Sequence, residues 1–471
     1  MPKTGVTWHV AIAPNAGTTK RLGSNKEINM TEILQYIHTM LSQYSELKYV
    51  INYKTWQTDF LRFFHSQTNY NISKESIAIG VSIYKGKRNY SFNIDNPDAA
   101  NIDVAVEKAL DIIDSLPEDP DFVDIETDLT IAEYSSTVNN ILAIPLEQKT
   151  KVLQHIADAV RGFNFEIYGT FICNFESTRI LNSNGIDKVS TTSPIYLEVK
   201  AVHNESQVTV LETFGGEDFS RFDLADFTDR LTQKVRYGCG EIVDVEAGHY
   251  DVVLAPRCIA EFVQYLSGSM SAQSLDQKSS YFEDRIDEQV FPEYINITDD
   301  PTDPDVITSS YNGDGHIYRP LKLVENGVYR AFMCSNYYAH KTGLPKNGNT
   351  GNCLVLKEGD KTLEQMIGSI KYGIYVSSLH YMNFMNVKET SLTGLTRDGT
   401  FLIEDGKITK VINNLRFTER ITRILKSITM LENRGFTIPF SGNYEFFGIE
   451  TVKAPHVLVK DFNVTSSTNT I

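Results

Sequence analysis

The sequence has no long apolar run. Nowhere do about 18 apolar residues follow one another, which is the length that a membrane-spanning helix needs. The stretch Met1 to Gly23 carries Lys3, Lys20 and Arg21 but no apolar segment of signal-peptide length. We therefore expect no membrane contact and a cytoplasmic location.

Cysteine and histidine are both sparse. The five cysteines are odd in number, widely spaced and without a Cys-x-x-Cys pair, which favours buried free thiols. The ten histidines include no pair separated by three or four positions, so two imidazoles cannot share one face of a helix. This spacing excludes a helical pair of zinc-binding histidines.

Positive charge is also in short supply. The 44 Lys and Arg stand against 60 Asp and Glu, giving a formal net charge of −16. An acidic chain is repelled by a polyanion, and no patch of interleaved basic and aromatic residues is present. The short basic cluster at Lys85, Lys87 and Arg88 is typical of a solvated hairpin tip. These features argue against direct binding to nucleic acid.

The chain is long enough for two domains, since it has 471 residues, of which 41% are hydrophobic. Residues 1–240 mix helical and strand patterns, which predicts a layered α/β domain. Helices are predicted at Met30 to Ser45, Asp95 to Leu116, Pro145 to Gly162 and Asp223 to Tyr237. Strands are predicted over the hairpin Ile77 to Ile94, from Phe165 to Ile172 and from Ile195 to Val202, with a tight turn at Asn182 to Gly185.

Residues 241–471 have a different sequence pattern, in which strand-like stretches separated by Gly, Asn and Asp turns dominate. We place the domain boundary between Gly238 and Gly248 and predict a mostly antiparallel β domain. The overall class is therefore α+β. The candidate strands are Asp251 to Ala255, Tyr318 to Leu323, Gly327 to Met333, Gly373 to Leu379, Gly399 to Ile403 and Lys407 to Asn413.

Seven segments of the second half form an ordered series, namely Asp251 to Pro256, Ser280 to Glu288, Thr298 to Pro301, Leu323 to Val328, Lys341 to Gly351, Leu392 to Gly406 and Asn414 to Phe417. In this order they resemble the TldD/PmbA family, whose members are also called modulators of DNA gyrase. The resemblance implies an N-terminal α/β domain, a C-terminal β-barrel-like domain, and dimers that enclose a cleft.

The family's zinc-bearing members carry His-Glu-x-x-x-His on a helix and a later cysteine, a set that can bind Zn²⁺ and activate a water molecule. Here the matching stretch, Ile259 to Gly268, has no histidine, and no cysteine follows Cys353. The resemblance therefore implies a TldE-like chain without catalytic residues, metal ligands or cofactor of its own. Zinc is expected only in a sister subunit.

Other catalytic arrangements were weighed against this interpretation. Glu261 lies on a predicted helix, where a lone carboxylate is more typical of a solvated face than of a general base. His340 could meet Cys334, Cys353 or His380 through folding, although ordinary packing positions explain these residues as well. Ser267-Gly268-Ser269 has no convincing histidine partner, and no Gly-x-Ser-x-Gly elbow is present.

The segment from Arg397 to Thr400 supplies the candidate substrate-binding residues Arg397, Asp398 and Thr400. In a purely structural interpretation, Asp398 bonds backbone donors in a turn and Arg397 pairs with an acid. In the functional interpretation, these residues lie at the cleft and Arg397 holds a peptide carboxylate.

Two alternative functions are consistent with these features. In the first, the chain binds unfolded polypeptides or small peptides while a zinc-bearing TldD-like subunit hydrolyses them, and its partner is that subunit or a second copy of itself. In the second, the chain is a self-sufficient hydrolase with an unrecognised metal or nucleophile site. The amount of zinc bound to the purified chain distinguishes the two functions.

Overall fold

A computed structural model describes residues 30–95, 97–136, 138–441 and 449–468. The expectation for Met1 to Gly23 lies outside this part of the chain. No helix in the described ranges is long and apolar enough to cross a membrane.

The first half is built on an antiparallel sheet. Along the sheet the strands run β3-β2-β1-β4-β6-β7, and β5 pairs with β4. The strands are β1 (Leu47–Phe64), β2 (Gln67–Lys85), β3 (Arg88–Ile94), β4 (Phe165–Asn182), β5 (Asp187–Thr192), β6 (Ile195–His203) and β7 (Thr209–Gly216). The predicted hairpin between β2 and β3 is confirmed, with Lys85 opposite Arg88.

Helices cover this sheet in two groups. The helices are α1 (Met30–Leu41), α2 (Ala99–Ser115), α3 (Asn140–Ala143), α4 (Leu146–Arg161) and α5 (Leu224–Gly238). The apolar stripes of α1 and α2 pack on β1, β2 and β3, whereas α4 and α5 pack on β4, β6 and β7. Helix α2 begins at Ala99 rather than near Asp95 because the Asp98 side chain accepts the backbone N–H of Asn101 and caps the helix there.

A small barrel dominates the second half. Strands β14, β9, β21, β17 and β15 pair in that order, and the additional pairing of β14 with β15 closes the ring. Strand β9 runs parallel to β14, and the remaining pairs of the ring are antiparallel. The strands of this sheet are β8 (Ile242–Val243), β9 (Gly248–Leu254), β14 (Tyr372–Asn386), β15 (Ser391–Glu404), β16 (Lys407–Ile412), β17 (Leu415–Arg420), β18 (Ile428–Leu431) and β21 (Val457–Ser467).

A second sheet lies beside the barrel, with the strand order β12-β11-β10-β13-β20-β19. Its strands are β10 (Ile297–Asp299), β11 (Leu321–Glu325), β12 (Val328–Tyr329), β13 (Cys353–Leu356), β19 (Phe436–Ser441) and β20 (Ile449–Ala454). The helices of this half are α6 (Pro256–Ser267), α7 (Ala272–Asp276), α8 (Asn336–Thr342), α9 (Leu363–Gly368) and α10 (Ile421–Lys426).

The predicted α+β class, with a barrel in the second half, is confirmed. The two halves share apolar packing, because the core around α4 and α5 also contains Val253, Tyr375 and Phe401 from the barrel. The boundary between 1–240 and 241–471 stays a prediction, although β8 at Ile242 already pairs with the barrel strand β16.

Candidate functional site

The candidate site is a cluster of polar side chains on helix α6 and strand β6, formed by Arg257, Glu261, Tyr196 and Glu198. The helix starts with Pro256 in its first turn, where a missing N–H costs nothing. Its buried face carries Cys258, Ile259, Phe262, Val263 and Leu266. Arg257 and Glu261, which are one turn apart, lie side by side on the edge of that face.

Strand β6 supplies the other two side chains of the cluster. Its residues Ile195, Leu197 and Val199 pack into the core under α4 and α5. Since alternate side chains of a strand point to opposite faces, Tyr196 and Glu198 face the other way. The Tyr196 hydroxyl donates to Oε2 of Glu198 at 2.6 Å, and Nη2 of Arg257 lies 3.7 Å from the same oxygen.

Glu261 is not on a solvated face, so that expectation was wrong. Its side chain is only 16% exposed, and its Oε1 lies 3.7 Å from Nε of Arg257. Burial raises the pKa of the Glu261 carboxyl to about 7, although the positive charge of Arg257 opposes the shift. Burial and the neighbouring Glu198 also raise the pKa of Tyr196. The polar cluster therefore contains a carboxyl group, that of Glu261, which can exchange a proton near neutral pH.

The residues of α6 do not fit zinc. With Glu261 placed on the glutamate of His-Glu-x-x-x-His, Ala260 and Tyr265 stand at the two histidine positions. Ala260 is fully buried and has no donor atom, while the Tyr265 hydroxyl donates to the carbonyl of Met382 at 3.0 Å. Within the ranges that the structure describes, no three His, Cys, Asp or Glu side chains are grouped to hold a metal ion.

Asp398 lies in a bulge of β15 rather than in a turn between strands. The register between β14 and β15 shifts there, since Val376 faces Thr400 and Ser378 faces Arg397. Asp398 has a φ of 52° and is buried. Its Oδ1 lies 2.9 Å from Nζ of Lys200 on β6, so the two halves of the chain meet at this ion pair.

The other two predicted binding residues differ in exposure. Arg397 is partly exposed and makes no ion pair with the described residues. Thr400 is buried, and its hydroxyl donates to the Thr396 hydroxyl at 2.8 Å, so it contributes to the interior of the barrel. His380 lies nearby on β14, where burial and the charge of Arg397 lower its pKa. Arg397 is thus the member of the trio best placed to meet a ligand.

The alternative metal or nucleophile site is not assembled in the described part of the chain. His340 is exposed on α8, whereas Cys334 and Cys353 are buried. Burial raises the pKa of the Cys334 thiol to about 11, which disfavours the thiolate that metals and nucleophilic catalysis require. The Ser267 hydroxyl donates to the carbonyl of Gln264 at 2.7 Å, at the end of α6.

Sequence reasoning missed Glu198, Lys200 and Arg257. The alternation from Ile195 to Val202 predicts that Glu198 and Lys200 share one face of a strand, but it gives no information on what that face meets. Arg257 follows the family-like segment Asp251 to Pro256 directly. That position was the signal by which Arg257 could have been found.

Comparison with known proteins agrees with the resemblance. Residues 247–466 match the model of the PmbA/TldA metallopeptidase C-terminal domain. A zinc metalloprotease TldD homolog from Saccharolobus solfataricus is 25% identical over 352 residues, which span 68% of this chain and 76% of the relative.

Solved structures share the fold over nearly the whole chain. TldE from Thermococcus kodakarensis superposes with a TM-score of 0.80 at 18% identity, covering 93% of this chain and 99% of that one. A Thermotoga maritima protein named as a candidate modulator of a DNA gyrase gives a TM-score of 0.80 at 15% identity, covering 93% and 100%. The resemblance to TldD/PmbA proteins is thereby confirmed, since residues 247–466 match the C-terminal domain model of that metallopeptidase family.

Proposed function

We propose that the chain is a non-catalytic, TldE-like subunit that binds unfolded peptides and that a zinc-bearing TldD-like chain performs the hydrolysis. One observation carries the proposal. At the helix where the family's zinc-bearing members place two histidines, this chain has a partly buried pair, Arg257 and Glu261, with Ala260 and Tyr265 at the histidine positions. An arginine beside a metal site would repel the cation.

Beside the polar cluster, Arg397 is suited to holding a peptide. Asp398 is engaged by Lys200 at 2.9 Å, whereas Arg397 makes no ion pair with any described residue. A guanidinium with unused donors can take a carboxylate bidentately. Arg397 can therefore bind a peptide without breaking the ion pair between Lys200 and Asp398, which connects the two halves of the chain.

The proposal is tested by replacing Arg397 with alanine and measuring the fluorescence anisotropy of a labelled, unstructured acidic peptide. We expect the Kd to rise about tenfold, the loss of roughly 1.4 kcal/mol expected for one charged hydrogen-bonding group. The melting temperature should stay near that of the wild type, because Arg397 makes no ion pair with the described residues that the substitution would break.

The matched control is Arg416→Ala, since Arg416 is exposed on β17. This variant should bind the peptide as tightly as the wild type. An unchanged Kd in Arg397→Ala, or a loss of stability in place of a loss of affinity, would show that the segment is purely structural.

A further inference from the structure

A cavity of about 290 Å³ has Arg257 among its lining residues. It is enclosed by β7, α5, β19 and the start of α6, and its walls include the rings of Phe214, Phe222, Tyr237 and Phe436. Ligand pockets usually measure about 300–1,000 Å³. The volume therefore suits a ligand about the size of one amino acid, with an apolar body.

Most of the charges on the wall already have partners. Nζ of Lys234 lies 2.9 Å from Oε2 of Glu212. Arg434 donates twice to Asp226, at 2.9 and 2.6 Å. These ion pairs leave neither Lys234 nor Arg434 free to bind a ligand.

Arg257 also has acidic neighbours, but one of its donors lacks an acceptor among the described residues. Its Nη1 is buried and has no hydrogen-bond partner among the described residues, and its two acidic neighbours, Glu198 and Glu261, are each 3.7 Å away. A buried guanidinium donor without an acceptor is costly. The Ser377 hydroxyl on the same wall is also buried and unpartnered in the described part.

The cavity also meets the first residues of α6. Ala255 and Pro256 line it, and Ala255 offers no side-chain cap to the 12-residue helix. The positive end of the helix dipole thus adds to the charge of Arg257 at this wall. Both features favour an anionic group over a neutral one.

We propose that this cavity is a carboxylate-binding site, in which Arg257 and Ser377 hold the carboxylate and the aromatic walls hold an apolar body. The ligand is either a free carboxylic acid or the last residue of a peptide with a free C-terminus. The site stands independently of the peptide-binding role proposed above, because the free acid alone is enough to occupy it.

The experiment is calorimetry of the full chain with N-acetyl-L-phenylalanine and with its amide, N-acetyl-L-phenylalaninamide. We expect the acid to bind at least about tenfold more tightly than the amide, because only the acid satisfies Arg257. Arg257→Gln should abolish that preference, whereas Arg416→Gln, exposed on β17 and outside the cavity wall, should keep it.

If Arg257→Gln does not fold, Ser377→Ala takes its place, because it removes the second donor on the cavity wall and should reduce the preference for acid over amide. Equal binding of the two probes, binding of neither, or an acid preference that survives in folded Arg257→Gln would overturn the site. Short peptides ending in phenylalanine, with a free or an amidated C-terminus, distinguish the sources. A preference for the free C-terminus assigns the site to peptides, and binding of the small acid alone assigns it to free acids.

Discussion

Glu261 illustrates how burial changes the role of a single residue. On the sequence it is one carboxylate on an amphipathic helix, where exposure is the ordinary outcome. The structure instead places it against Arg257, in a polar cluster that also contains Tyr196 and Glu198 of β6. Its protonation therefore affects the stability of the fold.

We predict that Glu261→Gln stabilises the protein above neutral pH. Because burial raises the folded pKa of Glu261 from 4.5 to about 7, the contribution of this residue to stability is fully present below pH 4.5 and is lost as the pH rises through 7. The loss is on the order of 3 kcal/mol, at about 1.4 kcal/mol for each unit of pKa shift. Because glutamine does not ionise, the variant does not lose this stability as the pH rises.

Urea unfolding between pH 4.5 and 8 measures the effect. The gain in Glu261→Gln should be largest at pH 8 and should vanish near pH 4.5. The control is Glu107→Gln on α2, where the carboxylate is exposed and the substitution should change little. A Glu261→Gln variant less stable than the wild type at pH 8 would mean that the ion pair with Arg257 outweighs the cost of burial.

The predicted trio shows what a sequence can and cannot supply at this scale. Arg397 and Asp398 were identified within a family-like run, and they lie together near His380 and Lys200. The ion pair of Asp398 with Lys200 was not predictable, because the two residues come from different halves of the chain. Local periodicity contains no information on such contacts.

At the scale of the element, the bulge in β15 positions Arg397 and Asp398. Gly399 adopts a φ of +115°, and a Cβ there would lie 2.8 Å from the Oγ atom of Ser377. Few residues other than glycine accept this combination of backbone conformation and contact.

We expect Gly399→Ala to destabilise the protein by about 2–3 kcal/mol, through backbone strain and the contact with Ser377. Chemical denaturation measures the change. Gly162→Ala at the end of α4 is the control, since no atom lies within 4 Å of its added Cβ and its φ is not positive. Equal stability of the two variants would show that the bulge tolerates a side chain and does not fix the site.

Elements with strong local signals were predicted well. Helix α5 was expected at Asp223 to Tyr237 and is found at Leu224–Gly238, because Asp223 caps it through the N–H of Asp226. Strand β1, with 18 residues, and strands β17 to β21 were not predicted. Their boundaries are determined by pairing with strands distant in sequence, which composition does not encode.

At the scale of the whole molecule, two arms carry exposed apolar side chains. On the hairpin of β1 and β2, Tyr70 and Ile77 are 48% and 49% exposed, and near the junction of β14 and β15, Tyr381 and Met385 are 73% and 65% exposed. Apolar surface of this kind is typical of interaction sites.

We therefore predict association, with a zinc-bearing sister chain or with a second copy of this chain, through an interface of roughly 2,000 Å² or more. Since apolar burial is screened little by salt, sedimentation velocity should detect the complex at both low and high salt concentrations. A monomer at micromolar concentration, alone and mixed with the sister chain, would contradict the proposed role of the chain as a subunit.

The central claim is that this chain has no hydrolytic metal centre of its own, and its zinc content tests that claim most directly. The full chain is expressed with added zinc, purified without chelator and analysed by inductively coupled plasma mass spectrometry. Because Ala260 and Tyr265 stand where ligands would be needed, we expect far less than one zinc per chain. A stoichiometry of about one zinc per chain, the content of a catalytic site, would contradict the account and favour a self-sufficient hydrolase.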